Sequence, residues 1–173
     1  MSDSSENLDS VREECQRFPD QFSTLMIATA DANARPNASY APFIKIDGCF
    51  YIYISELAQH TQNIQRLSNV SVLFIENEND ADHAFVRKRL TLDCSVIEIS
   101  RSDPDFTLTL DTFQKKIGQL IKTLRNLGDF HLFQLHPEAA NFVIGFGRAF
   151  NFTGKEFEVA EHKNNKGHRS LKK

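Results

Sequence analysis

Arg87 and Arg89 stand two residues apart in the stretch VRKRLTLDC, so an extended backbone puts both guanidinium groups on one face, with Lys88 opposite, beside Val86 and Leu90. Paired guanidinium groups on one strand face suit a phosphate or carboxylate ligand, because each can donate two charge-assisted hydrogen bonds in a fixed fork. The same residues also suit a solvated edge strand balanced by the acidic run from Glu76 to Asp82, and both readings stand. Asp129 directly follows Gly128, which is expected to close a helix. A carboxylate there faces the negative end of the helix dipole, unfavourable by roughly 0.3–1 kcal/mol. A nearby cation or hydrogen-bond donor would offset this; an ordinary Gly-Asp turn is the alternative.

The six histidines divide by context. His131 and His136 fall on opposite faces of one expected strand, His83 lies in the acidic loop, and His60 lies on the apolar stripe of an expected helix. His162 and His168 belong to a basic tail where no core requires them. An imidazole on such an arm can fold over a site and ligate iron, given a second residue that orients its ring; a solvated tail histidine is the other reading. Between 142 and 152, Phe142, Ile144, Phe146, Arg148, Phe150 and Phe152 share one parity, and Val143, Gly145, Gly147 and Ala149 the other. Glycines inside a strand leave a flat shelf for a planar cofactor, or mark tight packing at a barrel bend. No GxGxxG, Walker loop, GxSxG, HExxH or close His/Cys cluster occurs. Hydrolase, kinase and zinc-enzyme readings therefore lack support, and any chemistry is expected to reside in a bound cofactor.

The elements that must position these residues follow from periodicity. Leu8, Val11, Cys15 and Phe18 form the stripe of a short helix that Pro19 stops. FSTLMIATA, ASYAPFIKI and CFYIYI read as three strands, joined by turns at Asp31-Ala32-Asn33 and Asp47-Gly48. In the third, Phe50, Ile52 and Ile54 share a face opposite Cys49, Tyr51 and Tyr53. A helix over 57–68 carries Leu57, His60, Ile64 and Leu67 on one stripe, and VSVLFI is a fourth strand. The fifth is expected over 84–99. Ser102-Asp103-Pro104 starts a helix that buries Phe106, Leu110, Phe113, Ile117, Leu120 and Leu124 and runs to Gly128. FHLFQL and 141–152 complete the strands. Connections this short exclude parallel crossovers, so the pattern predicts a mainly β fold: an antiparallel barrel of six to seven strands with peripheral helices.

The chain has 173 residues, 40% hydrophobic and 25% charged, with a formal charge of −3, fifteen Phe and no Trp. That is the length of one domain with a Phe-rich core and not the composition of a disordered chain. The expected division is an N-terminal helix at 1–19, the barrel domain at 20–154 and a basic tail at 155–173. The acidic start lacks a signal-peptide pattern and no apolar run approaches a membrane span. Three scattered cysteines point to free thiols, so a cytoplasmic protein without membrane or nucleic-acid partners is expected.

TLMIATADANARPNASYAPF resembles the opening hairpin of the pyridoxamine 5′-phosphate oxidase-like split-barrel family. VRKRLTLDC, LGDFHLFQLHPEAANFVIGFGRAF and NNKGHRSL resemble its haem-utilisation (HugZ/HutZ-type) branch. The resemblance runs from about Phe22 to His168. It implies a homodimeric split barrel that binds haem at the subunit interface and degrades it with O₂ and an external electron donor. It assigns His168 as the iron ligand, Asp129 as that imidazole's hydrogen-bond partner, Arg87 and Arg89 as neighbours of the propionates or distal pocket, and His60 as a further haem-pocket residue. Flavin-binding relatives imply an alternative, with FMN phosphate on Arg87 and Arg89; a non-catalytic haem carrier is a third.

Overall fold

A computed structural model describes residues 8–154 and 157–162, the latter without the side chain of His162. In chain order the elements are α1 (Leu8–Arg17), a 3₁₀ turn (Phe18–Gln21), β1 (Thr24–Ala30), β2 (Pro36–Ile46), β3 (Cys49–Ser55), α2 (Gln59–Arg66) and β4 (Asn69–Ile75). A second 3₁₀ turn (Ala84–Val86) precedes β5 (Arg89–Ile99), α3 (Pro104–Ile117), α4 (Leu120–Leu124), β6 (Phe130–Gly145), β7 (Arg148–Thr153) and β8 (Val159–His162).

The sheet is antiparallel, ordered β3-β2-β1-β4-β5-β6-β7-β8, and a further β3–β6 pairing closes the first six strands into a barrel. Closure depends on the length of β6. Its first half pairs with β3 (Phe130↔Ser55 to Leu135↔Phe50) and its second half with β7 (Ala139↔Thr153 to Gly145↔Arg148). Between the halves stands Pro137, beside a register shift at Asp93/Cys94 of β5. Proline lacks the donor a continuous ladder needs and is tolerated at such a bulge. The strand thereby leaves one partner and takes another, and β7 and β8 extend the sheet beyond the barrel. Val159–His162 thus pairs as a strand within the stretch read as tail.

The alternation in β3 is realised on both faces. Phe50, Ile52 and Ile54 enter the barrel core with Phe43, Phe74, Phe142, Phe150 and Phe152, while Tyr53 joins Ile44, Phe106, Leu110, Phe113 and Leu132 beneath α3. Asp47-Gly48 turns with φ of 49° and 79°, the left-handed pair that a two-residue hairpin needs. Asp103 caps α3 by accepting from the Asp105 N–H at 2.9 Å.

Four expectations need correction. The helix expected to reach Gly128 stops at Ile117, because Gly118 takes φ +114°, and α4 resumes with Ile121 buried and Leu120 exposed. Residues 84–88 are not strand; a 3₁₀ turn and a loop carry Arg87, and β5 begins only at Arg89. Gly145 and Gly147 do not make a shelf along one strand: Gly145 ends β6, and Gly147 lies in the β6–β7 turn at φ +71° beside exposed Phe146. The helix expected over 57–68 is shorter: Leu57 and Leu67 lie outside α2 and are exposed, and α2 buries His60, Thr61, Asn63 and Ile64. Asn63 donates to Thr29 Oγ1 at 2.9 Å, so a hydrogen bond seats this helix on the barrel beside Ile64, which joins the core.

Candidate functional site

The β3–β6 register sets Ser55, last in β3, opposite Phe130, first in β6, and so brings Ser55 against Asp129. The Ser55 hydroxyl accepts from the Leu57 N–H at 3.1 Å and donates to Asp129 Oδ2 at 2.6 Å. The Glu56 N–H donates to the Asp129 carbonyl at 2.8 Å. This half-buried carboxylate is therefore anchored through one oxygen, and Oδ1 has no donor among the described residues. The helix-end argument anticipated a donor for Asp129. The donor is Ser55, although no helix ends at Gly128 to require it.

Beside this pair, His131 reaches both the turn after β3 and strand β5: Nε2 meets Glu56 Oε1 and Nδ1 meets Glu98 Oε1, each at 2.5 Å. Burial opposes the charged imidazole, but the hydrogen bonds and charges of Glu98 and Glu56 outweigh it and raise its pKa. His131 is thus clamped between two carboxylates that favour its charged form, where the sequence suggested an ordinary strand histidine.

Arg87 folds back onto the acidic run. Its Nε and Nη2 donate to the Glu76 carbonyl and its Nη1 pairs with Glu78 at 3.0 Å. The balance with the Glu76–Asp82 run is what the structure shows for this residue. Arg89 donates from Nη1 to the Arg87 carbonyl at 3.2 Å, its side chain's one hydrogen bond among the described residues. The two arginines and Asp129 do not meet within one chain. Arg89 opens β5 at one end, and Ile99, across from Leu132, closes it at the other, ~30 Å along the strand.

His60 is buried on α2, where Nδ1 lies 2.8 Å from Ser39 Oγ and Nε2 has no partner among the described residues. Burial lowers its pKa, so it stands neutral at pH 7. His168 lies outside the described residues, as does the side chain of His162. A cavity of about 550 Å³ lies beside His131, lined also by Glu98, Arg101, Gly128 and Phe130, and a second of about 530 Å³ lies at the start of β3, six residues of strand from Ser55, lined by Lys45, Cys49, Phe50, His136 and Phe157. Among the described residues no cluster of three or more His, Cys, Asp or Glu can hold a metal ion, and no helix is long and apolar enough to cross a membrane.

Sequence reasoning missed Ser55, Glu56, Glu98 and Arg101 around Asp129. A local signal existed only for Ser55, a hydroxyl closing an alternating strand; the others depend on which strands meet.

Residues 11–144 match the family model for pyridoxamine 5′-phosphate oxidase. A curated relative, heme oxygenase HutZ of Vibrio cholerae serotype O1, is 36% identical over 158 residues, covering 91% of this chain and 89% of that protein. The crystal structure of Vibrio cholerae HutZ, described there as a heme storage protein, superposes with a TM-score of 0.68 at 36% identity, over 73% of this chain and 89% of that one. Campylobacter jejuni ChuZ superposes with a TM-score of 0.85 at 32% identity, over 97% of this chain and 69% of that one. With most of its length matched by the family model and its barrel shared with these structures, the chain belongs to the pyridoxamine 5′-phosphate oxidase family.

Proposed function

We propose that this protein binds haem between two subunits and degrades it oxidatively, in the cytoplasm, as part of iron utilisation. The observation that carries the reading is Asp129: a carboxylate anchored by Ser55 on one oxygen and open on the other, in a chain 36% identical to a heme oxygenase over nine-tenths of its length. An imidazole N–H is the natural partner for that open oxygen. A histidine that donates there gains anionic character and becomes a stronger iron ligand. His168 is that histidine in our reading. When bound, haem supplies the iron that activates O₂ and the macrocycle that is cut, with electrons from a separate donor.

The protein's own work is to orient and to hold. Asp129 fixes the tautomer and ring plane of His168. Arg89 has donors to spare for the propionates, whereas Arg87 is committed to Glu76 and Glu78. Because Arg89 and Asp129 lie at opposite ends of β5–β6, one haem reaches both kinds of group only where two chains meet. That separation supports the homodimer. Neutral His60, whose Nε2 has no partner among the described residues, is a further hydrogen-bonding group for the pocket. A flavin reading remains open to test because it is the family's other cofactor, but it needs a phosphate to displace Glu76 and Glu78 from Arg87.

Titration of the apo protein with hemin, followed by ascorbate in air, tests the proposal. We expect a saturable Soret band at one haem per subunit that bleaches into a bilin spectrum. Saturation without bleaching would make the protein a carrier, and a yellow protein without a Soret shift would make it a flavoprotein.

A further inference from the structure

Asp129 lies in the connection from α4 to β6, and that connection is held from behind by one side chain. Arg101, in the turn after β5, donates from Nη1 to the Arg125 carbonyl at 3.1 Å and from Nη2 to the carbonyls of Leu127 at 2.5 Å and Phe130 at 3.0 Å. The Tyr53 hydroxyl stands 3.4 Å from the same Nη2, and the guanidinium carbon sits 5.4 Å from the centre of the Phe106 ring. The carbonyls that Arg101 gathers flank Asp129 on both sides, at Leu127 before it and Phe130 after it. Asp129's own carbonyl is taken by the Glu56 N–H and its Oδ2 by Ser55. With the backbone held at these points and Oδ2 taken by Ser55, Oδ1 is the carboxylate oxygen without a donor among the described residues.

We propose that Arg101 is the positioning residue of the site: by tying the backbone on either side of Asp129 to the end of β5, it sets the direction in which Oδ1 faces the ligand histidine. A planar guanidinium suits this task, because its forked donors reach several acceptors at once and its faces stack on aromatic rings. A lysine offers a single mobile ammonium in its place. The inference rests on the proposed role of Asp129, and its test separates the two.

Hemin affinity, ascorbate-driven turnover and the iron–histidine stretching frequency of the ferrous haem complex are measured for wild type, Arg101→Met, Asp129→Asn and the double variant. We expect Arg101→Met to keep hemin affinity within about threefold and to slow turnover about tenfold, the size of effect typical of groups that orient a ligand. Its stretching frequency shifts towards that of Asp129→Asn, a change that general loosening of the fold does not produce. In the Asp129→Asn background, Arg101→Met slows turnover no further, since residues acting through one another are not additive. Losses that multiply in the double variant, or a wild-type frequency in Arg101→Met, overturn the inference alone. A wild-type protein that takes up no haem overturns the proposed function and this inference with it. If Arg101→Met does not fold, Arg101→Lys carries the same comparison with the charge retained.

Discussion

Ser55 and Asp129 are 74 residues apart in the chain and 2.6 Å apart in the fold, joined by a hydroxyl that donates to Oδ2 where β3 and β6 meet. The carboxylate is thereby held as an acceptor with one oxygen to offer. A serine at the end of a closing strand and an aspartate at the entry of its partner make a site only because the barrel closes there.

Replacing the carboxylate tests its part directly. Asp129→Asn retains haem and slows its degradation about 10–100-fold, because an amide gives the imidazole no anionic partner. Ser55→Ala, which releases Oδ2 but keeps the charge, slows it less. Single-turnover decay of the Soret band in ascorbate measures both, and a wild-type rate in Asp129→Asn would remove Asp129 from the mechanism.

The iron ligand is assigned by two substitutions outside the described residues. His168→Ala loses the saturable one-to-one hemin spectrum, whereas His162→Ala keeps it. The reverse pattern in the titration transfers the role to His162.

The two arginines separate by what they already bind. Arg89→Ala weakens hemin binding about tenfold, a loss of ~1.4 kcal/mol. Arg87→Ala lowers the melting temperature, because Glu76 and Glu78 lose their shared partner, and shifts hemin affinity less. Equal effects on affinity, read by titration, would return Arg87 to the haem pocket.

His131 makes stability depend on pH in a defined sense. Its pKa in the folded protein is raised above the usual 6.5, the hydrogen bonds that Glu98 and Glu56 accept overcoming burial. A raised pKa stabilises fully below the unfolded value, and that contribution fades as pH climbs through the folded one. Melting temperature is thus expected to fall between pH 6.5 and alkaline pH, with a shallower fall in His131→Gln. Parallel melting profiles for the two proteins across that range would contradict the clamp.

Phe74 tests the core. Its ring meets those of Phe22, Phe43 and Phe50 at 5.3–5.5 Å and is 1% exposed. Phe74→Ala is expected to cost about 3–5 kcal/mol. In a chain of this size that lowers the melting temperature by about 6–20 °C. A change of only one or two degrees in a thermal melt would mean that the cluster is not the centre of the core.

Much of the architecture was legible from local pattern. Period-two alternation in 49–54 determined a strand with Phe50, Ile52 and Ile54 on one face, Asp47-Gly48 its hairpin, and Asp103-Pro104 the start of α3, since each rests on the conformational preferences of neighbouring residues. The family hairpin and the Gly-Asp-Phe entry singled out Asp129. Tertiary structure alone decided the rest. Gly118 and Gly128 are both able to end a helix, and in the fold it is Gly118 that takes φ +114°. Arg87 and Arg89 share a parity, yet the carbonyl of Glu76 drew Arg87 out of the strand. Ser55, Glu56, His131 and Arg101 come to Asp129 through the closure of β3 on β6 and the turn after β5. These pairings are long-range, and no periodicity within one segment records which strand will lie beside it.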